Sequence, residues 1–265
     1  NNYFLLDCIK PGPGAARNKG IEFCNGKYFS FLDVDDLLDP EKFKILLEEF
    51  EKFPNIMMAF GETQVKYYDG RERKIDLTPF NSGINLSPDL ANHWLNNFHN
   101  HPHISSLLIS REIILPDLFP ENIIYGEDIA FSVKIAMEYP ISYSKKLVSV
   151  HYRHPESSIS KANLMFSNTE RYLQFYEKFA LPFFYKNSIN SCYKYAYVIS
   201  ENIAYRLLMK LIYKYKKNHF FSTLKKLENQ NLIKKNRMRS LLYHLLPYVF
   251  ANYLNDKFLK NEENN

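Results

Sequence analysis

The stretch from Lys27 to Pro40, KYFSFLDVDDLLDP, constrains this chain more than any other part of the sequence. Aromatic residues alternate with small or polar ones up to Leu32, a pattern typical of a buried strand. Three carboxylates then follow within four positions, at Asp33, Asp35 and Asp36. Close carboxylates repel one another, so a cation, a basic partner or full solvation in a loop has to relieve the charge. A strand that ends in this way is suited to hold a divalent metal together with a phosphorylated ligand.

Length and composition exclude several classes of protein. With 265 residues, of which 46% are hydrophobic and 16% aromatic, the chain can bury a large core and is not disordered. The three cysteines have no CxxC spacing, so neither a disulfide framework nor a zinc site is predicted. No apolar run is long enough to span a bilayer, and the N-terminus lacks the layout of a signal peptide. The expected location is therefore the cytoplasm.

A loop and a short helix precede the acidic stretch. The apolar run Tyr3–Leu6 predicts a strand, and the loop Lys10–Gly14, which contains PGPG, then ends any regular element. A helix is predicted over Ala15–Phe23, and Asn25 and Gly26 end it. Backbone N–H groups at such a helix start can bind phosphate, but glycine-rich loops before helices are common without a ligand.

The segments that follow predict alternating helices and strands. The polar stretch 69–90 carries several prolines and glycines and is interpreted as a surface loop. The other predicted elements are a helix capped by Asp39 and begun by Pro40, strands at Met57–Phe60 and Thr63–Tyr68 joined across Gly61, a strand at Ile104–Ile109, and a strand at Leu147–Tyr152.

Three histidines alternate just before the predicted strand at Ile104, namely His99, His101 and His103. That spacing places them on one side of an extended chain, a possible arrangement for metal ligands. However, Pro102 interrupts the pattern, and no carboxylate or cysteine lies beside it in the sequence. We therefore expect solvated histidines, or histidines that contact an acceptor, rather than a metal site.

A second pair of carboxylates, Glu127 and Asp128, comes directly before an apolar helical face. Acidic residues in the first turn of a helix stabilise its dipole, which is a sufficient structural explanation by itself. The functional alternative is a carboxylate that points from the helix start into a cleft and takes a proton from a hydroxyl group. The residues alone leave both interpretations open.

Three segments, taken together, resemble the family 2 glycosyltransferases of the GT-A fold: GAARNKGIEFCNGKYFSFLDVDD, YGEDIAFSVKIA and YRHPESSIS. They occur in the family's order and with its approximate spacing, between Pro11 and Ser160. The resemblance implies an α/β fold with a Rossmann-like mixed sheet, incomplete at the N-terminus, followed by an α-helical C-terminal region. It also implies transfer of a sugar from a nucleotide-diphosphate donor.

The resemblance implies a role for each site residue. Asp35 would hold Mn²⁺ or Mg²⁺ between the donor phosphates, and His154 would contact the metal or the diphosphate. Such a metal neutralises the charge that develops on the leaving nucleoside diphosphate. The other donor-binding positions would be Arg17, Asn18, Asp33 and Val34. A UDP-sugar is the expected donor.

On the acceptor side, the resemblance implies that Asp128 is the general base. It would remove the proton of the acceptor hydroxyl as that oxygen attacks the anomeric carbon, which gives inversion in one displacement. Glu127 and His103 would help to bind the acceptor.

The family pattern is incomplete at the N-terminus. The opening strand, helix and second strand of the family, which cradle the nucleotide base, are not found before Tyr3, so roughly ninety residues are expected to be missing. We therefore predict a partial GT-A domain over residues 1–160 and a helical region over residues 161–265. We do not expect this chain to catalyse transfer alone.

The C-terminal region is basic and rich in Tyr and Phe. Most of the lysines and arginines of the chain, whose net charge is +5, lie in this half, and nine of them fall between Lys214 and Arg239. Such helices could rest on the anionic inner face of the cytoplasmic membrane or bind an anionic acceptor. An ordinary helical appendage with solvated lysines explains the pattern equally well. Nucleic acid is not an expected partner, because no recognition helix, RNP-like strand or zinc spacing is present.

Two classes of function follow from the sequence. The first is a metal-dependent, inverting hexosyl- or N-acetylhexosaminyltransferase that builds a bacterial surface polysaccharide such as lipopolysaccharide or capsule. Its partners would be a nucleotide sugar and a glycan or lipid-linked glycan acceptor. The second is a GT-A-like module that binds or assembles without catalysis, or an inactive fragment of a longer transferase.

Overall fold

The computed structural model describes residues 3–77, 80–97, 100–113, 118–123, 125–155 and 168–215. The α-helices among them are α1 Pro13–Phe23, α2 Lys42–Lys52, α3 Asp89–Asn96, α4 Glu127–Glu138, α5 Asn168–Phe175, α6 Leu181–Lys186 and α7 Ser191–Tyr215. The strands are β1 Tyr28–Phe29, β2 Leu37–Leu38, β3 Met58–Tyr67, β4 Glu72–Lys74, β5 Gly83–Asn85, β6 Leu107–Ser110 and β7 Ile141–Arg153. A 3₁₀ turn, Ile104–Ser106, precedes β6, and a π-helical segment, Tyr176–Ala180, joins α5 to α6.

The strands form one mixed sheet in the order β1-β6-β3-β7-β2. The central pair, β3 and β7, is parallel, and every other pairing is antiparallel. The outer edge of β7 is divided, because β5 pairs with its beginning and β2 with its end. Since β1 and β2 flank the acidic stretch, the carboxylates of that stretch lie on a turn between the two outer strands.

Helices cover both faces of the sheet, as the alternation of side chains along β3 requires. Ala59 belongs to a buried cluster with Leu46 and Phe50 of α2. Its neighbour Phe60 points the other way and packs against Trp94 of α3, with ring centroids 6.1 Å apart. The predicted α/β class, with a mixed sheet followed by helices in the described C-terminal residues, is confirmed.

Two predicted strands differ from the structure. Tyr3–Leu6 is not a strand: Tyr3 and Leu5 are almost fully exposed, and the segment pairs with no strand in the described part of the chain. The two strands predicted on either side of Gly61 are one strand, β3. Gly61 is needed there for close packing rather than for a turn, because a Cβ at this position would come within 2.6 Å of Val148.

Several boundaries also move. Helix α2 begins at Lys42 instead of Pro40, because Asp39 first accepts hydrogen bonds from the N–H groups of Glu41 and Lys42 in a tight turn. The stretch 69–90 contains β4 and β5 rather than loop alone, and the start of the strand predicted at Ile104 is a 3₁₀ turn. Boundaries are the least reliable part of a pattern-based prediction because hydrogen bonds to distant residues set them.

The described residues up to Lys210 form one compact unit, and the unit that begins at Leu211 lies largely outside the described residues. The predicted domain boundary at residue 160, His99 and most of the basic segment between Lys214 and Arg239 also lie outside them. Within the described part of the chain, no helix combines the length and apolar character needed to cross a bilayer.

Candidate active site

The turn Asp33–Asp36 presents its carboxylates in opposite directions. It is closed by a hydrogen bond of 3.0 Å from the Asp36 N–H to the Asp33 carbonyl. The side chain of Asp36 points inward and is completely buried, whereas those of Asp33 and Asp35 are each 35% exposed. Val34, between them, is fully exposed. The turn therefore uses one carboxylate to anchor itself and offers two to the surface.

Asp36 lies at the centre of a buried polar cluster formed by Asp36, Ser105, His103 and His151. Its Oδ2 accepts a hydrogen bond of 2.6 Å from the Ser105 hydroxyl, and its Oδ1 lies 2.8 Å from His151 Nδ1. His103 Nδ1 is 3.3 Å from Oδ2. Burial alone would raise the pKa of Asp36, but the hydrogen bonds from His151 and Ser105 help to lower it below its ordinary value. Asp36 is thus held as a carboxylate inside the protein.

The second carboxylate pair stands at the start of α4, as predicted. Gly126 caps the helix with a left-handed backbone, φ +81°, and Glu127 and Asp128 occupy the first turn. Asp128 Oδ1 accepts a hydrogen bond of 2.8 Å from the N–H of Ile129. Both acids therefore lie at the positive end of the helix dipole.

Three aromatic rings, those of Phe31, Phe119 and Phe131, bring the acidic turn close to the carboxylate pair at the start of α4. Phe31 stands two residues before Asp33, and Phe131 is one turn of α4 after Glu127. The rings of Phe119 and Phe131 stack at 4.2 Å, and Phe31 meets both edge-on, with centroids 5.3 and 5.9 Å away. Packing between these rings fixes the start of α4 against the acidic turn.

Arg17 of α1 connects the acidic turn directly to the carboxylates at the start of α4. Its Nη2 donates to Asp33 Oδ1 at 2.9 Å, and its Nη1 donates to Glu127 Oε1 at 2.7 Å. Burial would lower the pKa of Arg17, but the charges of Asp33 and Glu127 raise it above the ordinary value, so the guanidinium stays charged. Burial, followed by the charge of Asp128, raises the pKa of Glu127 to about 7 even though Arg17 opposes this shift. Burial likewise raises the pKa of Asp33 against the effect of Arg17.

Two groups of side chains could hold a metal ion. His154 Nε2 lies 3.2 Å from Asp35 Oδ2, and both side chains are more than a third exposed, so a cation there would keep positions for water and phosphate oxygens. Asp36, His103 and His151 also bring ligand atoms within 4.8 Å of one another. That cluster is the more closed of the two, because the Asp36 side chain is completely buried, whereas the Asp35–His154 pair is open to solvent.

Two predicted site residues have structural contacts. Asn18 exchanges two hydrogen bonds with the backbone of Phe119, at 2.9 and 3.0 Å, so its amide holds that loop against α1. The side chain of His103 is only 14% exposed; its ring lies 4.3 Å from that of His151, and its Nδ1 accepts from the Ser105 N–H. The His103 ring thus faces the buried Asp36, and its contact with an acceptor stays a prediction.

Sequence reasoning missed three residues that support the turn: Lys42, Ser105 and His151. A signal for Lys42 was present, because it precedes Ile45, Leu46 and Glu49 at helical spacing and so falls on the buried face of α2. Ser105 and His151 carry no comparable signal. Their partner Asp36 is 69 and 115 positions away in the chain.

Comparison with known proteins identifies relatives for about half of the chain. An uncharacterized glycosyltransferase of Rickettsia felis is 32% identical over 139 residues, which are 52% of this chain and 22% of that protein. The minor teichoic acid biosynthesis protein GgaB of Bacillus subtilis is 28% identical over 162 residues, 60% of this chain and 17% of that protein. The chain therefore spans about a fifth of the length of these relatives.

Among solved structures, the crystal structure of S. aureus TarS 1–349 in complex with UDP-GlcNAc is similar to this chain. It aligns at 16% identity with a TM-score of 0.49, covering 85% of this chain and 59% of that chain. The family model described as Glycosyl transferase family 2 matches residues 3–113, which include Arg17 and the whole acidic turn. The similarity to glycosyltransferase family 2 is therefore carried by the first part of the chain, residues 3–113.

Proposed function

We propose that this chain carries the donor and acceptor sites of an inverting glycosyltransferase that moves a sugar from a nucleotide-diphosphate donor to a glycan hydroxyl. The observation that carries this proposal is the contact of Arg17 with both Asp33 and Glu127, at 2.9 and 2.7 Å. It joins the acidic turn to the start of α4, although the two are about ninety residues apart in the chain. The match of residues 3–113 to the model of glycosyltransferase family 2 supports the same proposal.

On the donor side, Asp33 and Asp35 are the exposed carboxylates of the turn. We assign Asp33 to the nucleotide and Asp35, with His154, to Mn²⁺ or Mg²⁺. A bound divalent cation would supply charge neutralisation for the departing nucleoside diphosphate. Val34 lies at the tip of the turn, fully exposed, where its backbone is open to a ligand.

On the acceptor side, Asp128 is the proposed general base. It lies in the first turn of α4, at the positive end of the helix dipole, and the hydrogen bond from the Ile129 N–H orients it. The proton of the acceptor hydroxyl passes to Asp128 while that oxygen forms its bond to the anomeric carbon and the bond to the diphosphate breaks. Glu127, which Arg17 holds next to Asp128, is assigned to acceptor binding.

A role in making a bacterial surface polymer is supported by the name of one relative, a teichoic acid biosynthesis protein. We propose a polysaccharide of that general kind as the product, with a UDP-sugar as the donor. Lipopolysaccharide and capsule remain the specific candidates. A lipid-linked acceptor and peripheral contact with the inner face of the cytoplasmic membrane belong to the same proposal.

The donor assignment is tested by Asp35→Ala in the full-length chain. We expect the affinity for UDP in the presence of Mn²⁺, measured by calorimetry, to fall at least tenfold, because the metal loses a carboxylate ligand. Glu51→Ala, which removes an exposed carboxylate from α2, is the control and should bind as the wild type does. Unchanged affinity in Asp35→Ala would refute the metal assignment.

A further inference from the structure

Lys42, the first residue of α2, is a lysine whose side chain is completely inside the protein, at 0% exposure. Its ammonium donates to the Ser30 hydroxyl at 2.6 Å and to the Ser105 carbonyl at 2.7 Å. Among the described residues, no carboxylate lies within ion-pairing distance of it. Burial lowers the pKa of Lys42 to about 8. A buried ammonium is costly, so its two neutral partners identify what this residue holds in place.

Ser105 is the residue through which Lys42 reaches the acidic turn. While its carbonyl accepts from Lys42, its hydroxyl donates to Asp36 Oδ2 at 2.6 Å and accepts from the Asp33 N–H at 3.2 Å. One serine side chain therefore binds both ends of the turn. Asp35 lies between those two ends, and its position depends on how firmly they are held.

Ser30, the second partner of Lys42, belongs to the chain that leads into the turn. It follows β1 directly, and its hydroxyl donates to the Leu107 carbonyl at 2.6 Å. Lys42, on the rigid helix α2, thus connects two segments. One is the residue Ser30, which leads into the turn, and the other is the 3₁₀ segment that carries Ser105. These contacts lie on the inner side of the turn, away from the exposed carboxylates.

We propose that Lys42 is a positioning residue: through Ser105 it holds the turn Asp33–Asp36 in the shape that the donor and its metal require. This inference rests on the proposed function, and it adds a residue that touches neither ligand. A methionine of similar length would fill the same space without donating to either oxygen. Ser105 would then lose the contact that fixes its carbonyl, and the turn would lose its rigid base.

Lys42→Met in the full-length chain tests the inference, with Lys44→Met on the exposed face of the same helix as its matched control. Hydrogen exchange is measured first, without ligand, at the amides of Asp33 and Asp36. We expect exchange at both to become at least tenfold faster in Lys42→Met, while the amides of the central strand β3 stay within twofold of wild type. Lys44→Met should change neither group.

Donor binding is measured second, as the affinity for UDP with Mn²⁺. We expect a loss of at least tenfold in Lys42→Met and none in Lys44→Met. In a Ser105→Ala background, Lys42→Met should add less than twofold, because the link it acts through is already broken. Should Lys42→Met fail to fold, Lys42→Gln is used instead, since its side chain is one bond shorter and cannot span both oxygens.

The outcomes separate this inference from the function on which it rests. If wild type binds no UDP with Mn²⁺, the proposed function fails. Alternatively, wild type binds UDP with Mn²⁺, while Lys42→Met matches Lys44→Met in both amide exchange and UDP affinity. That result overturns the positioning role but leaves the proposed function standing. Faster exchange at the turn with unchanged UDP affinity also overturns it, because Lys42 would then serve stability alone.

Discussion

Arg17 makes ion pairs with carboxylates from two distant parts of the chain. Its side chain is only 13% exposed, and it contacts one carboxylate of the acidic turn and one at the start of α4. The negative charge around it exceeds its own, because Asp128 adjoins Glu127. Burial is the main reason why the pKa of Glu127 stays high although an arginine donates to it, and this excess of negative charge is the second.

The raised pKa of Glu127 makes a prediction about stability. Its pKa is about 7 in the folded protein, against an ordinary value of 4.5. The folded state therefore keeps a proton that the unfolded chain has already released. As the pH rises from 4.5 to about 7, the free energy of unfolding falls by on the order of 3 kcal/mol in total. Above that range this contribution changes little.

Glu127→Gln removes this titration, so comparing it with wild type isolates the effect. We expect the free energy of unfolding of wild type, minus that of Glu127→Gln, to fall by that amount between pH 4.5 and pH 8 in urea denaturation. Other ionisable groups contribute nearly equally to both proteins and cancel. Parallel pH profiles for the two proteins would contradict the assignment.

The grouping of candidate site residues could be predicted where the chain places them next to one another. The motif residues Asp33, Asp35, Glu127 and Asp128 are of this kind. Contacts between distant residues could not be predicted, because local patterns do not encode them. Arg17 is 110 positions from Glu127, and the sequence placed it beside a nucleotide without revealing that it joins two carboxylates. The buried face that His103 shares with Asp36 was missed for the same reason.

Helix α1 places Arg17 by packing closely against the loop before α4. A Cβ added to Gly14 would lie 2.9 Å from the Pro120 carbonyl and 3.7 Å from Glu127 Cβ. Asn18, one turn further along, holds the same loop through Phe119. The glycine thus allows the close approach that lets Arg17 reach the carboxylates of both the turn and α4.

Two alanine substitutions in α1 should have opposite effects on stability. Gly14→Ala should lower the free energy of unfolding by about 1–3 kcal/mol, because the methyl group meets a backbone oxygen that cannot move freely. Gly20→Ala should raise it by about 0.5–1 kcal/mol, because nothing lies within 4 Å and alanine favours the helix. Urea denaturation of both variants measures the two effects.

A further measurement ties this packing to the site. Gly14→Ala should also weaken binding of UDP with Mn²⁺, since Arg17 moves with the helix, whereas Gly20→Ala should not. Equal stability changes in the two variants would contradict the close approach of α1 to the loop.

The elements themselves were predictable to different degrees. Amphipathic spacing and acidic first-turn residues predicted α4 with its correct start, because the signal there is local. The strands were harder: the sequence reading of Gly61 as a break failed because the reason for glycine is Val148, which lies on another strand. Short strands such as β2 and β5 form by pairing with β7, so their own sequences contain no pattern that predicts them.

At the scale of the whole molecule, the order of three motifs was enough to predict the α/β fold class and the family whose model matches residues 3–113. The mixed sheet brings those motifs to one region because β7 runs parallel to β3 and delivers His154 beside the acidic turn. The predicted boundary at residue 160 and most of the basic C-terminal segment lie outside the described ranges.

The most direct test of the account is sugar transfer by Asp128→Asn in the full-length chain. The assay follows UDP release from a panel of UDP-sugars in the presence of glycan extracted from the source cells, with Glu51→Gln as the control. We predict that kcat falls by a factor of about 10² to 10⁴, as expected for the loss of a general base, while UDP affinity stays within twofold of wild type. Transfer by Asp128→Asn at the wild-type rate would contradict the account.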